Sequence, residues 1–339
     1  MEQKVVGNLY TSAEPVALLT TLYDDFGSRF GGTEGTALAS DLLKEQFTAY
    51  GLHNVHKDAY DYDGRYRGKA TLEIQRPLHR ELPCISLPYS PAATVERKLV
   101  FVGEGREEEF EKEKTHLNRN ILLSHSGGIH RMEKYDRVML HNTKGFIFQN
   151  YYPGYGEITG TIGWNHEAVL PGIGISYETG ELLKRLHKQQ GDVHVRIRTT
   201  DELRPTWAWN IVGELPGRTH PEEIIIVGCH YDGHDISQNA NDPLSSMVVV
   251  TEIARVLSAY TADELSRTAR FISLEQRGGG VIRRISRRAT VSRRAHVTLW
   301  GMPRKQPGIS PIPTPNRRNT CHFGPNSTRL TPMIAASPN

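Results

Sequence analysis

Residues 224–247 read IIIVGCHYDGHDISQNANDPLSSM, and this stretch decides the fold. A run of β-branched residues marks a buried strand, and it ends in His230 and Asp232. Side chains at i and i+2 of a strand leave the same face, so the pair points one way. In open α/β sheets ligands collect beyond the carboxyl ends of strands. An Asp two residues from a metal-binding His can accept the hydrogen bond of its other ring nitrogen, fixing the tautomer. Asp242 follows after a polar loop, just before Pro243 and an apolar helical pattern. That order predicts Asp242 at a helix N-cap with Pro at the first helical position. A carboxylate fixed there would reach back to the strand end and bridge two metal ions about 3.5–4 Å apart.

Taken singly, each residue has a plainer reading. A His-x-Asp is more often a surface or hydrogen-bonded pair, an Asp before Pro more often only a helix cap. His234 and Asp235 read as loop residues. The combination of buried strand, His-x-Asp and helix-opening Asp favours a metal site.

Outward from this stretch, strands and amphipathic helices alternate, the mark of an α/β protein. SAEPVALLTTLYDDF reads as a helix capped by Ser12, with apolar spacing through Val16, Leu19 and Tyr23. TEGTALASDLLKEQFTAYG reads as a second, ending at Gly51, where a C′ glycine belongs. The strands KLVFVGEG, NILLSHSG, KGFIFQNYY and LPGIGIS follow, with helices HRMEKYDRVMLHNT and ETGELLKRLHKQQG among them. WAWNIVGELPG, EEIIIVGCHYD and RTARFISLE complete the strands on either side of the helix DPLSSMVVVTEIARVLSAY.

The 339 residues are enough for two domains. No apolar run approaches the ~18 residues of a membrane span. No basic-then-apolar leader opens the chain, which makes a cytoplasmic location the default expectation. Cys84, Cys229 and Cys321 are too few and scattered for a disulfide framework or a thiolate cluster. The net charge of +3 hides an asymmetry. Residues 277–339 hold 12 Lys plus Arg and no carboxylate, leaving 29 basic against 38 acidic residues before them. Rich in Pro and paired Arg and without periodicity, this segment reads as a disordered tail.

GCHYDGHDISQNAND followed by VVVTEIARVL resembles the core motif of the di-zinc aminopeptidase and glutamate carboxypeptidase family, whose usual form is close to G-A-H-Y-D-S, a short loop, then G-A-x-D. TWAWNIVGELPG is similar to the strand before that motif, and GSRFGGTEGTALASDLLKEQFTAYGL to the family's N-terminal region. The resemblance implies zinc as cofactor, two ions in the intact family. It implies His230 as a zinc ligand, Asp242 as the bridging carboxylate and Asp232 as the residue orienting His230. KLVFVGEG, KGFIFQNYY and LPGIGISYETGELLKRL resemble the protease-associated domain inserted in these enzymes, which shapes the approach to the active site and does no chemistry. The expected architecture is therefore an incomplete doubly wound zinc-peptidase α/β sheet, residues 1–65 and 200–276. It would carry a protease-associated α/β insert at 66–199 and a disordered basic C-terminal tail at 277–339. Pro243, Leu244 and Ser246 stand where small residues are usual, and Gln238-Asn239 where a Gly is usual.

The resemblance also implies a Glu general base, a second Glu ligand and a later Asp and His. After RFISL this chain reads EQRGGGVIRRIS. Glu275 is a remnant of the pair at most, Gln276 is neutral, and His296 and His322 lie among Arg and Pro. Shifted by one nucleotide, with permitted codons, the residues from Arg277 become Glu-Glu-Ala-Gly-Leu-Ser-Gly-Glu-Tyr, close to the family's Glu-Glu-x-Gly-Leu-x-Gly. The tail thus reads as an out-of-frame or mis-spliced translation. A rival takes RRISRR and SRRAH as phosphate-binding and Ser286 as a phosphorylation site, but no aromatic interleaving accompanies them. No nucleic-acid partner is expected. The expected function is zinc-dependent removal of N- or C-terminal residues from peptide substrates, silent in this form, with zinc bound weakly or not at all. The alternatives are a non-catalytic binding protein and a glutaminyl-cyclase-like enzyme.

Overall fold

The computed structural model describes residues 2–163, 167–261, 265–275 and 296–299. Helices α1 (Glu2–Thr11), α2 (Glu14–Thr20) and α3 (Glu34–Ala49) precede the long strand β1 (His53–Tyr66). Strands β2 (Ala70–Arg76), β3 (Arg80–Leu82), β4 (Ile85–Ser86) and β5 (Ala93–Phe101) follow. Then come α4 (Glu107–Lys112), α5 (Lys114–Leu117), β6 (Ile121–His125), α6 (Arg131–Leu140), β7 (Gly145–Gln149) and β8 (Gly172–Ile175). α7 (Tyr177–Gln190), β9 (His194–Thr199), β10 (Glu202–Leu215) and β11 (His220–His230) lead to α8 (Ser246–Thr261) and β12 (Arg267–Leu274), with β13 at His296–Leu299.

The fold is mixed α/β with two mixed sheets in two units, one of Met1–Tyr62 with the chain from Trp207, the other of Asp63–Thr206. The first unit's sheet runs β1-β10-β12-β11-β13, with β12 antiparallel to β10 and parallel to β11. Its main core gathers Leu43 and Phe47 of α3, Met247 and Val250 of α8, and Cys229 and Phe271 of the sheet. The second unit's sheet runs β3-β2-β9-β5-β6-β7-β8-β4, with β5 to β8 parallel. Separate cores built around Leu123 and Leu183, and around Phe146 and Tyr135, fill its interior. No helix among the described residues is long and apolar enough to cross a membrane.

Most local expectations reappear, with informative differences. Gly51 takes φ +76 after α3, and the Leu52 amide returns to the Phe47 carbonyl, as a C′ glycine requires. Ser12 is not the cap of α2; Ala13 holds that place without a side-chain bond, and Ser12 Oγ only accepts from the Glu14 amide. α1, unread in the sequence, ends immediately before it. β12 is an interior strand whose residues Phe271, Ile272, Ser273 and Leu274 are buried. Four residues of the segment read as disordered, His296–Leu299, form β13 alongside β11. The readings on Gln276, Ser286, His322 and the paired arginines lie outside the described residues.

Candidate metal centre

β11 ends at His230, and the chain leaves it as a loop through Tyr231, Asp232 and Gly233. His230 is 5% exposed and Asp232 fully buried. His230 Nδ1 lies 2.9 Å from the Asp232 carbonyl oxygen and 3.3 Å from Asp232 Oδ1. Its other nitrogen, Nε2, faces Asp242 Oδ1 at 3.1 Å. The imidazole is thus held on one side by Asp232 and turned on the other to Asp242. Burial works to lower the His230 pKa, but the bonds to Asp232 and Asp242 outweigh it and raise it to about 9. Without a metal the ring is an imidazolium between two carboxylates.

Asp242 reaches this place differently from the expected helix cap. It is extended (φ −117, ψ 101) within a wide kinked turn over Ala240–Ser245, and α8 begins at Ser246. The Asp242–Pro243 peptide bond is cis. Pro243 and Leu244 are buried, Leu244 in the main core, so the larger residues at these positions anchor the turn. Asn239 stands near the expected glycine and adopts φ +59, a left-handed conformation that Asn tolerates. Its side chain accepts from the His234 amide at 2.7 Å and donates to the His234 carbonyl at 3.0 Å. The bend after the His-x-Asp pair is therefore closed by one amide side chain.

Glu275 is not brought to His230. In the parallel pair β11 and β12, His230 lies opposite Leu274, so the next residues, Tyr231 and Glu275, share the other face. Glu275 is fully buried; its Oε2 accepts from Tyr231 Oη and the Trp209 amide, each at 3.1 Å, and its Oε1 accepts from the Gly32 amide at 3.2 Å. Burial, reinforced by nearby Asp232, pushes its pKa up to about 8 against those three donors. A Cβ on Gly31 would meet Tyr62 Oη at 2.5 Å and Glu275 Oε1 at 3.1 Å, so a side chain there would have to displace the Tyr62 hydroxyl. β13 pairs His296 with Ile225, five positions before His230, or about 16 Å back along the strand. His296 is thus at the wrong end of the sheet to join His230.

Sequence reading did not single out Arg29. It is fully buried and donates to the carbonyls of Tyr231 (3.3 Å), Gln238 (2.7 Å), Leu22 (2.5 Å) and Gly27. Burial lowers its pKa to about 10, with Asp232 pulling the other way. Arg29 therefore ties the N-terminal loop to both ends of the His-x-Asp bend. Its only signal was a lone Arg among glycines in GSRFGG. Elsewhere among the described residues, His220, Glu222 and Glu223 bring ligand atoms within 4.8 Å of one another at the amino end of β11. Glu223 is already paired with Arg267 at 2.5 Å, which leaves that group a surface ion pair.

This architecture has known counterparts. An aminopeptidase from Aneurinibacillus sp. strain AM-1 superimposes with a TM-score of 0.64 at 22% identity, over 85% of this chain and 70% of that one. A peptidase M28 precursor from Shewanella amazonensis does so with a TM-score of 0.72 at 19% identity, over 87% and 71%. These likenesses show a fold shared with those two proteins. In sequence, residues 210–276 match Peptidase family M28. A probable leucine aminopeptidase 2 from Arthroderma benhamiae is 24% identical over 254 residues, 70% of this chain and 50% of that protein. Carboxypeptidase Q from Bos taurus is 19% identical over 241 residues, 66% and 50%. The match to Peptidase family M28 lies over the strand and loop that carry His230 and Asp242, and the chain spans about half the length of the curated relatives it matches.

Proposed function

We propose that this chain is a metallo-exopeptidase scaffold that holds zinc through His230 and Asp242, takes peptide ends as its substrate class, and does not turn them over in this form. The observation that carries the reading is His230 itself, with Nδ1 held by Asp232 and Nε2 facing Asp242 at 3.1 Å. Bonds of about 2.0–2.2 Å from one tetrahedral zinc put neighbouring donor atoms roughly 3.3 Å apart, so the two atoms fit half of a site. Relatives named leucine aminopeptidase and carboxypeptidase support peptide ends as substrates. The resemblance of 66–199 to a protease-associated insert supports giving Asp63–Thr206 that identity.

When bound, zinc supplies Lewis acidity toward water and the scissile carbonyl. Asp232 keeps the proton on Nδ1, leaving the Nε2 lone pair as donor. Because His230 is protonated below about pH 9, metal binding must expel that proton, and affinity rises with pH. What the chain lacks is a carboxylate to accept a proton from water. Gln276 is neutral, no Asp or Glu follows Glu275, and Glu275 is pinned on the opposite face. A missing general base commonly costs ~10²–10⁴ in rate.

Calorimetry and leucyl-p-nitroanilide hydrolysis on the full chain test this together. The expected result is weak zinc binding, lost in His230→Ala and Asp242→Ala, strengthening about tenfold per pH unit from 6 to 8, without zinc-dependent turnover. Tight uptake of two ions, or turnover that His230→Ala abolishes, would overturn it.

A further inference from the structure

Arg29 holds the peptide planes on both sides of Asp232. Its guanidinium donates through Nε to the Tyr231 carbonyl at 3.3 Å, which fixes the Tyr231–Asp232 plane. Its own main-chain carbonyl accepts from the Gly233 amide at 2.7 Å, which fixes the Asp232–Gly233 plane. That second plane carries the Asp232 carbonyl oxygen, the atom 2.9 Å from His230 Nδ1. Peptide units are rigid, so setting the two planes that flank a residue also sets the direction of its side chain. Asp232 Oδ1, 3.3 Å from the same ring nitrogen, is thereby aimed from Arg29.

Arg29 is itself anchored. Nη1 donates to the carbonyls of Leu22 and Gly27, and Nη2 to the Gln238 carbonyl at 2.7 Å, on the limb of the bend that leads to Asp242. Next to it, Ser28 Oγ donates to the His234 carbonyl at 3.1 Å. On its other side the Phe30 carbonyl accepts from Thr33 Oγ1 at 2.7 Å and Thr36 Oγ1 at 2.5 Å, where α3 opens. The loop therefore rests on a helix and grips the bend at Tyr231, Gly233, His234 and Gln238.

The chemistry asks for arginine. The acceptors are carbonyls set around a planar fork and reached from Nε, Nη1 and Nη2. Lysine carries its three donors on one nitrogen and cannot span them. Charge adds to this. Asp232 is fully buried and lies near Glu275, and a buried carboxylate needs an opposite charge close by. Arg29 attracts Asp232, and although burial lowers its pKa to about 10 it keeps its proton at neutral pH.

We propose that Arg29 is the positioning residue of the zinc half-site. It sets Asp232, through Asp232 the ring of His230, and so the direction in which Nε2 faces Asp242 and the metal. The consequence for zinc rests on the metal reading given above; the holding of His230 in the metal-free chain does not.

Two measurements on the full chain test this, one without zinc and one with it. In the metal-free protein the His230 Nδ1 proton, assigned by its loss in His230→Ala, should give a slowly exchanging NMR signal. Arg29→Lys and Arg29→Ala should each lose that signal at temperatures where circular dichroism shows them folded. Millimolar guanidinium, which fits the space vacated in Arg29→Ala, should restore it there. With zinc, calorimetry should show affinity about tenfold weaker in both variants, recovered in Arg29→Ala by guanidinium. A merely structural Arg29 would lower the melting temperature and leave both readouts unchanged, and that outcome overturns the proposal. Wild-type values in Arg29→Lys overturn it as well. So does a loss that guanidinium does not reverse, since the damage would then lie in packing. Should neither variant fold, hydrogen exchange in the native chain decides: the Gly233 amide should exchange as slowly as that of Phe271 in β12, and fast exchange overturns the assignment. If the native chain takes up no zinc, the metal reading fails alone, and the Nδ1 signal still decides the role of Arg29.

Discussion

The two units solve the same packing problem to different depths. In Asp63–Thr206 the parallel strands β5 to β8 are interior, and antiparallel pairs, β2 with β3 and β8 with β4, close the ends of the sheet. Closing edges in this way protects a sheet from further pairing. In the other unit β10, β12 and β11 carry a large core on the helical side, from Leu18 to Phe271. The opposite face, to which Ile226, Ile272, Leu274 and His230 belong by alternation, gathers only a small cluster with Tyr60 and Ala208 among the described residues. Among the described residues, the face to which His230 belongs is thus the one with the thinner cover.

The most severe way to break this comparison is to cut each core in turn. Phe271→Ala removes a fully buried ring packed edge-on against Phe47 and should cost the first unit about 3–5 kcal/mol. Ile147→Ala in β7 should cost the second about 2–5 kcal/mol. Denaturation followed by hydrogen exchange should show two transitions, the one lowered by Phe271→Ala coming first. A single transition moved equally by both substitutions would mean the units unfold as one.

A smaller test uses the buried ionisable group each unit carries. Glu275 in the first is pushed up to about 8 by burial and Asp232; Lys134 in the second is pushed down to about 8 by burial, against the pull of Glu104 and Glu109. The signs are opposite. A carboxyl with a raised folded pKa holds its proton in the folded state while the unfolded chain has lost it. Its contribution is full below about pH 4.5 and is lost as pH rises toward 8. A lysine with a lowered folded pKa makes the unfolded chain bind more protons, so stability grows as pH rises from about 8 to 10.5. Each slope is at most about 1.4 kcal/mol per pH unit. Glu275→Gln should flatten the first transition between pH 5 and 8, and Lys134→Met the second above pH 8. Slopes of the same sign in both transitions would reject the assignment.

Much of this was legible in the sequence, and the failures share a physical cause. The strand ending at His230, the helix stopped by Gly51 and the β6-to-α7 alternation follow from periodicity and capping, which are local. The turn at Asp242 was misread because Asp-Pro before an apolar run suggests a cap, whereas the observed kink depends on Leu244 entering the core and Asn239 closing the loop. Arg29 and Glu275 were misjudged for a similar reason. Their partners lie 202 and 209 residues away for Arg29, and 243 away for the Glu275 bond to Gly32. No spacing rule reaches that far. Which face Glu275 occupies is set by the β11–β12 register, and register appears only once the strands are paired.

The finest contrast between the units is a pair of like interactions in unlike surroundings. In the first, Arg270 of β12 stands directly across the antiparallel ladder from Glu214 of β10, with Nη2 to Oε1 at 2.5 Å. Their side chains are 21% and 15% exposed, and Asn54 adds a bond to Glu214 at 2.9 Å. Burial alone would raise the Glu214 pKa, but the bonds to Asn54 and Arg270 hold it below its ordinary value. That contribution is present above the unfolded carboxyl pKa and is lost as pH falls. In the second unit Arg196 of β9 stands across from Glu96 of β5 at 2.7 Å, but those side chains are 41% and 46% exposed. Water and salt screen such a pair to less than about 1 kcal/mol. Removing Arg270 strands a half-covered carboxylate, which costs about 1–3 kcal/mol. Arg270→Met should therefore lower the first transition by that amount, with the loss shrinking in acid as Glu214 protonates. Arg196→Met should shift the second by less than about 1 kcal/mol, and 1 M salt should erase even that. Double-mutant cycles with Glu214→Gln and Glu96→Gln isolate the two pair energies. Equal coupling in both cycles would show that cover over the sheet, rather than the ladder position the two pairs share, had been given too much weight.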